Sequence, residues 1–259
     1  MKRLLIAMVL LCITGIPSAR ADDVAELTSR WRDVATAIFG ERVVEDGSDV
    51  LKLTTPAQTM NAALVPITVE LSGDRHILAV SVVVDNNPSP LAGTFHLGPA
   101  FAQQTLKMRV RVNEYTLVHA IAEADDGRLY SVARYVKAAG GCSAPDAVAS
   151  NDVVARIGKM QLRRERVADA SLVPAQLMIS HPNYNGMQQN PVTGDYTPAR
   201  YLERVSVNVG GTKAFDLDSG ISMSEDPAIS FTYVGNGAVD VSARDSSTAE
   251  FSQHFDSLQ

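Results

Sequence analysis

The hydrophobic pattern changes period once, near the start of the chain. From Asp22 to Gly40 the apolar residues Val24, Leu27, Trp31, Val34 and Ile38 recur at three- and four-residue steps. That spacing predicts a helix stopped by Gly40, with Trp31 as its anchor to the domain surface. Beyond it the pattern becomes short β-type runs with turn residues between them: Val50 to Leu53, Val65 to Leu71, His76 to Val84, Thr94 to Leu97, Leu106 to Val112, Thr116 to Ala124 and Arg128 to Val136. Asp126-Gly127 is a tight-hairpin signal between the last two. Seven short strands in this stretch predict a β-sandwich.

Residues Asp146 to Ser171 interrupt the pattern and read as a linker with some helix. Gln161 to Val167 can open a strand, and the basic run Arg163-Arg164-Glu165-Arg166 reads as its solvated face. A second β-rich region follows with Ala175 to Ser180, Ala199 to Val209, Lys213 to Leu217, Ile229 to Val234, Val239 to Arg244 and Glu250 to Phe255. Gly210-Gly211 and Gly235-Asn236-Gly237 stand where hairpin turns are expected. The fold class is therefore all-β, two sandwiches with an N-terminal helix. The expected division is an export signal at 1–21, a first sandwich at 22–142, a linker at 143–171 and a second sandwich at 172–259. Because the linker makes their meeting intramolecular, the sandwiches should bury apolar strand faces against each other as one unit.

Met1-Lys2-Arg3, the apolar run Leu4 to Ile13 and the small-x-small Ala19-Arg20-Ala21 form a secretory signal pattern with cleavage expected before Asp22. The apolar run is too short to span a bilayer. Export to a bacterial periplasm is the expectation, without membrane insertion after cleavage. Hydrophobic residues at 46% can fill a core. A net charge of −6 argues against nucleic acid or anionic lipid as the main partner.

Of the two cysteines, Cys12 lies in the signal, which leaves Cys142 unpaired. It stands in Lys137-Ala138-Ala139-Gly140-Gly141-Cys142-Ser143-Ala144-Pro145, among residues that bend cheaply and shield little. The reading is an exposed thiol on a mobile arm, with Gly140, Gly141 and Ser143 as its flexible flanks. Cys142 is also the strongest nucleophile candidate. None of His76, His96, His119, His181 and His254 lies near it in sequence, and a flexible arm cannot hold the geometry of a cysteine hydrolase. The histidine spacings match no familiar metal site, and no cofactor motif occurs. His181-Pro182 before Asn183-Tyr184-Asn185-Gly186, and Asp85-Asn86-Asn87-Pro88-Ser89-Pro90, read as rigid, shaped loops. Mobility favours a carrier over a catalyst, so no catalytic residue and no metal site are expected.

These residues resemble the SoxYZ-type sulfur carriers. Val65-Pro66-Ile67, the Asp85 to Pro90 loop and the seventh strand running into Gly140-Gly141-Cys142 are similar to SoxY. Ile179-Ser180-His181-Pro182 with Gly186, Thr193-Gly194, Pro198-Ala199-Arg200-Tyr201 and the Ser222 to Phe231 stretch are similar to SoxZ. The single-chain arrangement resembles the SoxYZ-like carriers associated with quinoprotein dehydrogenases. The resemblance implies an immunoglobulin-like sandwich in each half, and Cys142 holding sulfur intermediates covalently while separate enzymes process them, as in thiosulfate oxidation. It also implies partners among sulfur-oxidising periplasmic enzymes or a quinoprotein dehydrogenase system. One departure stands out: SoxY ends in Gly-Gly-Cys-Gly-Gly, whereas here Ser143-Ala144-Pro145 and a whole domain follow. The rival reading is a binding or assembly factor for an exported quinoprotein dehydrogenase, with the cysteine incidental. A thiol enzyme would need a histidine brought to Cys142 by folding.

Overall fold

Strict alternation of buried and exposed positions decides which strands have one wet face. In the computed structural model, which describes residues 19–144, 155–167, 169, 171–190 and 193–258, fifteen strands form two sheets. Cys12 and the expected signal up to residue 18, Pro145, and residues 146–154 of the expected linker lie outside those residues. One sheet runs, in spatial order, β1 (Val44–Asp46), β8 (Leu129–Val136), β7 (Thr116–Ala124), β4 (Ile77–Val84), β5 (Leu91–Leu97), β12 (Thr212–Ser219), β11 (Leu202–Val209), β14 (Val239–Asp245) and β15 (Glu250–Phe255). The other runs β2 (Leu51–Thr54), β3 (Val65–Leu71), β6 (Thr105–Val110), β13 (Ala228–Val234), β10 (Leu172–Ile179) and β9 (Met160–Arg164). Each half is a two-layered, immunoglobulin-like sandwich, as the sequence leads one to expect.

In β10, Val173, Ala175, Leu177 and Ile179 face the core and the residues between them do not; β14 alternates in the same way. β4 and β7 are different, being buried almost throughout. Helix α1 (Ala19–Phe39) supplies the reason. Its Trp31, Val34, Ile38 and Phe39 form an apolar stripe that packs on Val83, Ile121 and Leu129, covering the outer face of the first half.

The halves join through their edges rather than by stacking faces. β5 pairs antiparallel with β12 over five residue pairs, from Leu97 opposite Phe215 to Gly93 opposite Ser219. In the second sheet β6 meets β13 at Lys107 and Ser230, helped by bridges from Phe101 to Tyr233 and from Val110 to Met223. Aromatic rings run through the join: Phe95 and Phe215 stand edge to face at 5.5 Å, and Phe215 and Phe231 at 5.0 Å. Residues from both halves therefore belong to one hydrophobic core.

One of the expected turns needs correction. Gly235-Asn236-Gly237 is not a hairpin turn: β13 pairs with β10 and β6, whereas β14 pairs with β11 and β15, so the connection crosses between sheets. Turn residues permit a reversal but do not say which layer the next strand joins. The short β1, parallel to β8, has no counterpart in the sequence reading. Gly210-Gly211 does close a hairpin, with φ of 54° and 80° and Val209 opposite Thr212.

Because both sheets cross the join, Phe215→Ala should cost about 3–5 kcal/mol of global stability and leave one unfolding transition in urea. Two separable transitions would show that the halves fold independently.

Candidate functional site

β6 ends at Val110 and the chain turns through a buried corner in which Arg111 is 1% and Val112 0% exposed. Asn87 fixes that corner from the Asp85 to Pro90 loop. Its Nδ2 donates to the Arg111 carbonyl at 2.7 Å and to Ser222 Oγ at 2.8 Å, and its Oδ1 accepts from the Asn113 N–H at 2.9 Å. The Arg111 N–H donates to the Ser222 carbonyl at 2.8 Å. One buried amide thus ties the corner to both halves.

After β8 the chain lies along this corner. The Gly140 N–H donates to the Asn113 carbonyl at 2.8 Å and the Gly141 N–H to the Val112 carbonyl at 2.9 Å. Gly140 has φ of 79°, a conformation that costs other residues strain. Gly141 is needed for closeness, since a Cβ there would stand 2.1 Å from the Ala62 carbonyl oxygen and 2.7 Å from that of Val112. Cys142 comes next and is 1% exposed. From the second half, Asn185 Nδ2 donates to the Cys142 carbonyl at 2.7 Å. Asn185 is itself held, its N–H donating to Gln188 Oε1 and its Oδ1 accepting from the Met187 N–H, both at 2.9 Å. The Arg111 guanidinium reaches across the same junction, Nη1 to the Met223 carbonyl and Nη2 to the Pro182 carbonyl at 3.5 Å.

The structure therefore corrects the exposed thiol, since Cys142 is buried. Gly140 and Ser143 are exposed, Ser143 Oγ donating to the Gly140 carbonyl at 3.4 Å, but the thiol between them is inside. Small residues serve here for close approach instead of freedom: without side chains at 140 and 141, the backbone docks on the corner and carries the sulfur in with it. Burial pushes the thiol up to about 11, and the Arg111 charge works in the other direction without overcoming it.

The loop bearing Asn185 rests on a buried polar network. His181 Nε2 lies 3.4 Å from Asp245 Oδ2, to which Arg200 Nε donates at 2.8 Å. Asn183 Nδ2 donates to the Ser224 carbonyl and its Oδ1 accepts from the Leu202 N–H. Burial works to raise the Asp245 carboxyl, but hydrogen bonds from Ser247, Arg200, the Ala249 N–H and His181 outweigh it and hold the group at about 2. For His181 burial is the largest influence and lowers it, against the opposite pull of Asp245 and Asn183. A neutral imidazole beside a charged carboxylate fits a fixed floor for residues 182–185. Elsewhere His119 lies 3.3 Å from the buried Asp85 under the stacked ring of Trp31, His96 pairs with Asp218, and His254 pairs with Asp240.

The sequence singles out Cys142 with its glycines and both loops, but carries little signal for Arg111 or for the role of Asn87 and Asn185. The available signal for Arg111 was weak: a charged residue between two valines, one position beyond the last alternating residue of β6.

Two immunoglobulin-like sandwiches that share both sheets and seat one thiol at their junction define the structural class. The family model described as sulfur oxidation protein SoxY matches residues 35–142, and that described as sulphur oxidation protein SoxZ matches residues 161–256. The chain belongs to the SoxYZ type of sulfur carrier, with both parts in one polypeptide. Among solved structures, the sulfur carrier protein SoxY from Chlorobium limicola f thiosulfatophilum is 24% identical, covering 46% of this chain and 99% of that one at a TM-score of 0.39. A superoxide reductase (neelaredoxin) from Ignicoccus hospitalis is 12% identical, covering 34% and 79% at a TM-score of 0.30. A search of curated proteins returns no significant match.

A thiol raised from 9.0 to about 11 holds about 100-fold less thiolate at pH 7. Iodoacetamide should modify native Cys142 about 100-fold more slowly than the urea-unfolded chain. The raised value also fixes the sign of the pH dependence. Seating the neutral thiol stabilises the docked segment fully below pH 9.0, and that contribution is lost as pH rises through about 11. Equal native and unfolded rates at pH 7 would show that the segment spends its time undocked. Gly141→Ala, whose methyl group collides with the Ala62 carbonyl, should undock the segment and bring the native rate within about tenfold of the unfolded one.

Proposed function

We propose that Cys142 is the covalent attachment point for sulfur intermediates that partner enzymes add and remove. The supporting observation is a thiol held where the SoxY and SoxZ parts meet, on a segment that makes three backbone-directed hydrogen bonds there. Releasing those bonds costs about 3 kcal/mol at about 1 kcal/mol each. An opening of that size is within reach of a docking partner and suppresses attack by other oxidants. Loading with thiosulfate joins the Cys142 thiolate to the outer sulfur, giving an S-thiosulfonate and two electrons that the oxidising partner accepts. A persulfide is the alternative cargo.

Because a chain continues after Ser143, the segment leaves its seat as a loop anchored at both ends, unlike a free SoxY terminus. Partners that receive it need an open cleft rather than a narrow tunnel. The partners are sulfur-oxidising enzymes of the periplasm, reached through the secretory signal pattern of residues 1–21, or a quinoprotein dehydrogenase system. The burial of Cys142 also favours a second reading, in which the double sandwich is a docking or assembly module and the thiol is incidental.

Incubation with thiosulfate and an oxidising partner should add one S2O3 group to the Cys142 peptide, removable by reductant and visible by mass spectrometry. Cys142→Ser should abolish transfer. A variant that retains full physiological activity would exclude the carrier role and leave the docking module.

A further inference from the structure

We propose that Asn185 is a deamidation site which the docked Cys142 segment holds in check, and that its conversion to a carboxylate bars the segment from returning to its seat. The inference stands on the geometry of the seat and does not depend on what Cys142 carries.

An asparagine followed by glycine is the pair most open to this chemistry, because a residue without a Cβ leaves its own backbone nitrogen unshielded. The chain holds two such pairs, Asn185-Gly186 and Asn236-Gly237. Gly186 has φ of 86°, so the turn itself calls for glycine there. The reaction is internal. The Gly186 nitrogen attacks Asn185 Cγ, the Cγ–Nδ2 bond breaks, and ammonia leaves with the proton that the Gly186 nitrogen gave up. Water then opens the resulting five-membered imide at either of its carbonyls, giving an aspartyl or an isoaspartyl carboxylate. No electrons change hands, and water is the only co-reactant.

The atom that must leave is the atom the seat holds. Asn185 is 4% exposed. Its Nδ2 donates to the Cys142 carbonyl at 2.7 Å while its Oδ1 accepts from the Met187 N–H at 2.9 Å, so the amide plane is fixed from both ends. Its own N–H is tied to Gln188 Oε1. Deamidation therefore waits for the Cys142 segment to leave. Once it has left, Nδ2 is free, whereas the Met187 N–H still faces the oxygen on which charge develops. Asn236 lies on the connection after β13, its side chain exposed and without a hydrogen-bond partner among the described residues, which makes it a control within the same chain.

The product does not fit the seat. A carboxylate cannot donate, so the Cys142 carbonyl loses its partner and meets a buried negative charge instead. The isoaspartyl form also adds a carbon to the main chain ahead of Gly186. Opening of the segment is thus reversible only while Asn185 keeps its amide.

The test ages the full chain in mildly alkaline buffer, native and unfolded in urea, and follows both asparagines by peptide mass spectrometry. Relative to its unfolded rate, Asn185 should deamidate at least about tenfold more slowly than Asn236, the effect of one strong hydrogen bond that must first be released. In Gly141→Ala, built to undock the segment, the rate at Asn185 should rise towards its unfolded value and the rate at Asn236 should not change. Ion exchange then separates aged native chains that carry the extra charge at residue 185. Iodoacetamide should alkylate their Cys142 at least about tenfold faster than that of intact chains. Asn185→Asp should behave as those aged chains do, and if that variant fails to fold the aged fraction decides. Equal native-to-unfolded ratios for the two asparagines would overturn the proposal. So would an unchanged rate at Asn185 in a Gly141→Ala chain whose Cys142 has become reactive, or alkylation at the intact rate in the aged fraction.

Discussion

The pairing of β5 with β12, and of β6 with β13, is the constraint from which the rest follows. It makes two sheets out of four and runs one core, with Phe95, Phe215 and Phe231 at its centre, through both halves. It also fixes the distance between the corner after β6 and the loop after β10. Those are the two walls of the thiol seat, and neither half holds both. Arg111 and Val112 come from one side, and Pro182, Asn185 and Met223 come from the other. The site is thus a product of the join rather than of either sandwich.

Around that seat the polar groups divide between holding and tuning. Asn87, Asn183 and Asn185 spend their amides on main-chain atoms, which is how loops of this length stay in one shape without a sheet ladder to guide them. Asp245 gathers Arg200, His181 and the turn that follows β14 into a low-lying carboxylate, so the floor under residues 182–185 is charged but balanced. Burial then sets the thiol, making it slow to ionise.

Much of the architecture was legible in the sequence because a strand with one wet face must alternate. β10 and β14 announce themselves in this way, and α1 follows from the spacing of Trp31, Val34 and Ile38. Other features were not legible, for definite reasons. β1 is three residues long and carries no period. The Gly235 to Gly237 turn has the same composition whether the next strand stays in its sheet or changes layer. The sequence of a strand such as β5 reads the same whether its outer hydrogen bonds go to water or to β12, so pattern alone could not reveal the shared sheets. At the site, Ala138 to Cys142 is compatible with two opposite outcomes: small residues let a chain swing, and they let it lie closer to a neighbour than any other residue could. Only the position of the Ala62 carbonyl oxygen chooses between them.

Joining the sandwiches edge to edge has a further effect on what the molecule shows to others. Separate two-sheet sandwiches would each expose four strand edges, and an unpaired edge is a template for unwanted association. Here the inner edges satisfy one another, leaving β1, β15, β2 and β9 at the margins. Those four are poor templates. β1 and β2 are only three and four residues long, β9 carries Arg163 and Arg164, and β15 offers Glu250, Ser252, Gln253 and His254. Edge-to-edge joining thereby leaves little of the backbone available for pairing with other chains.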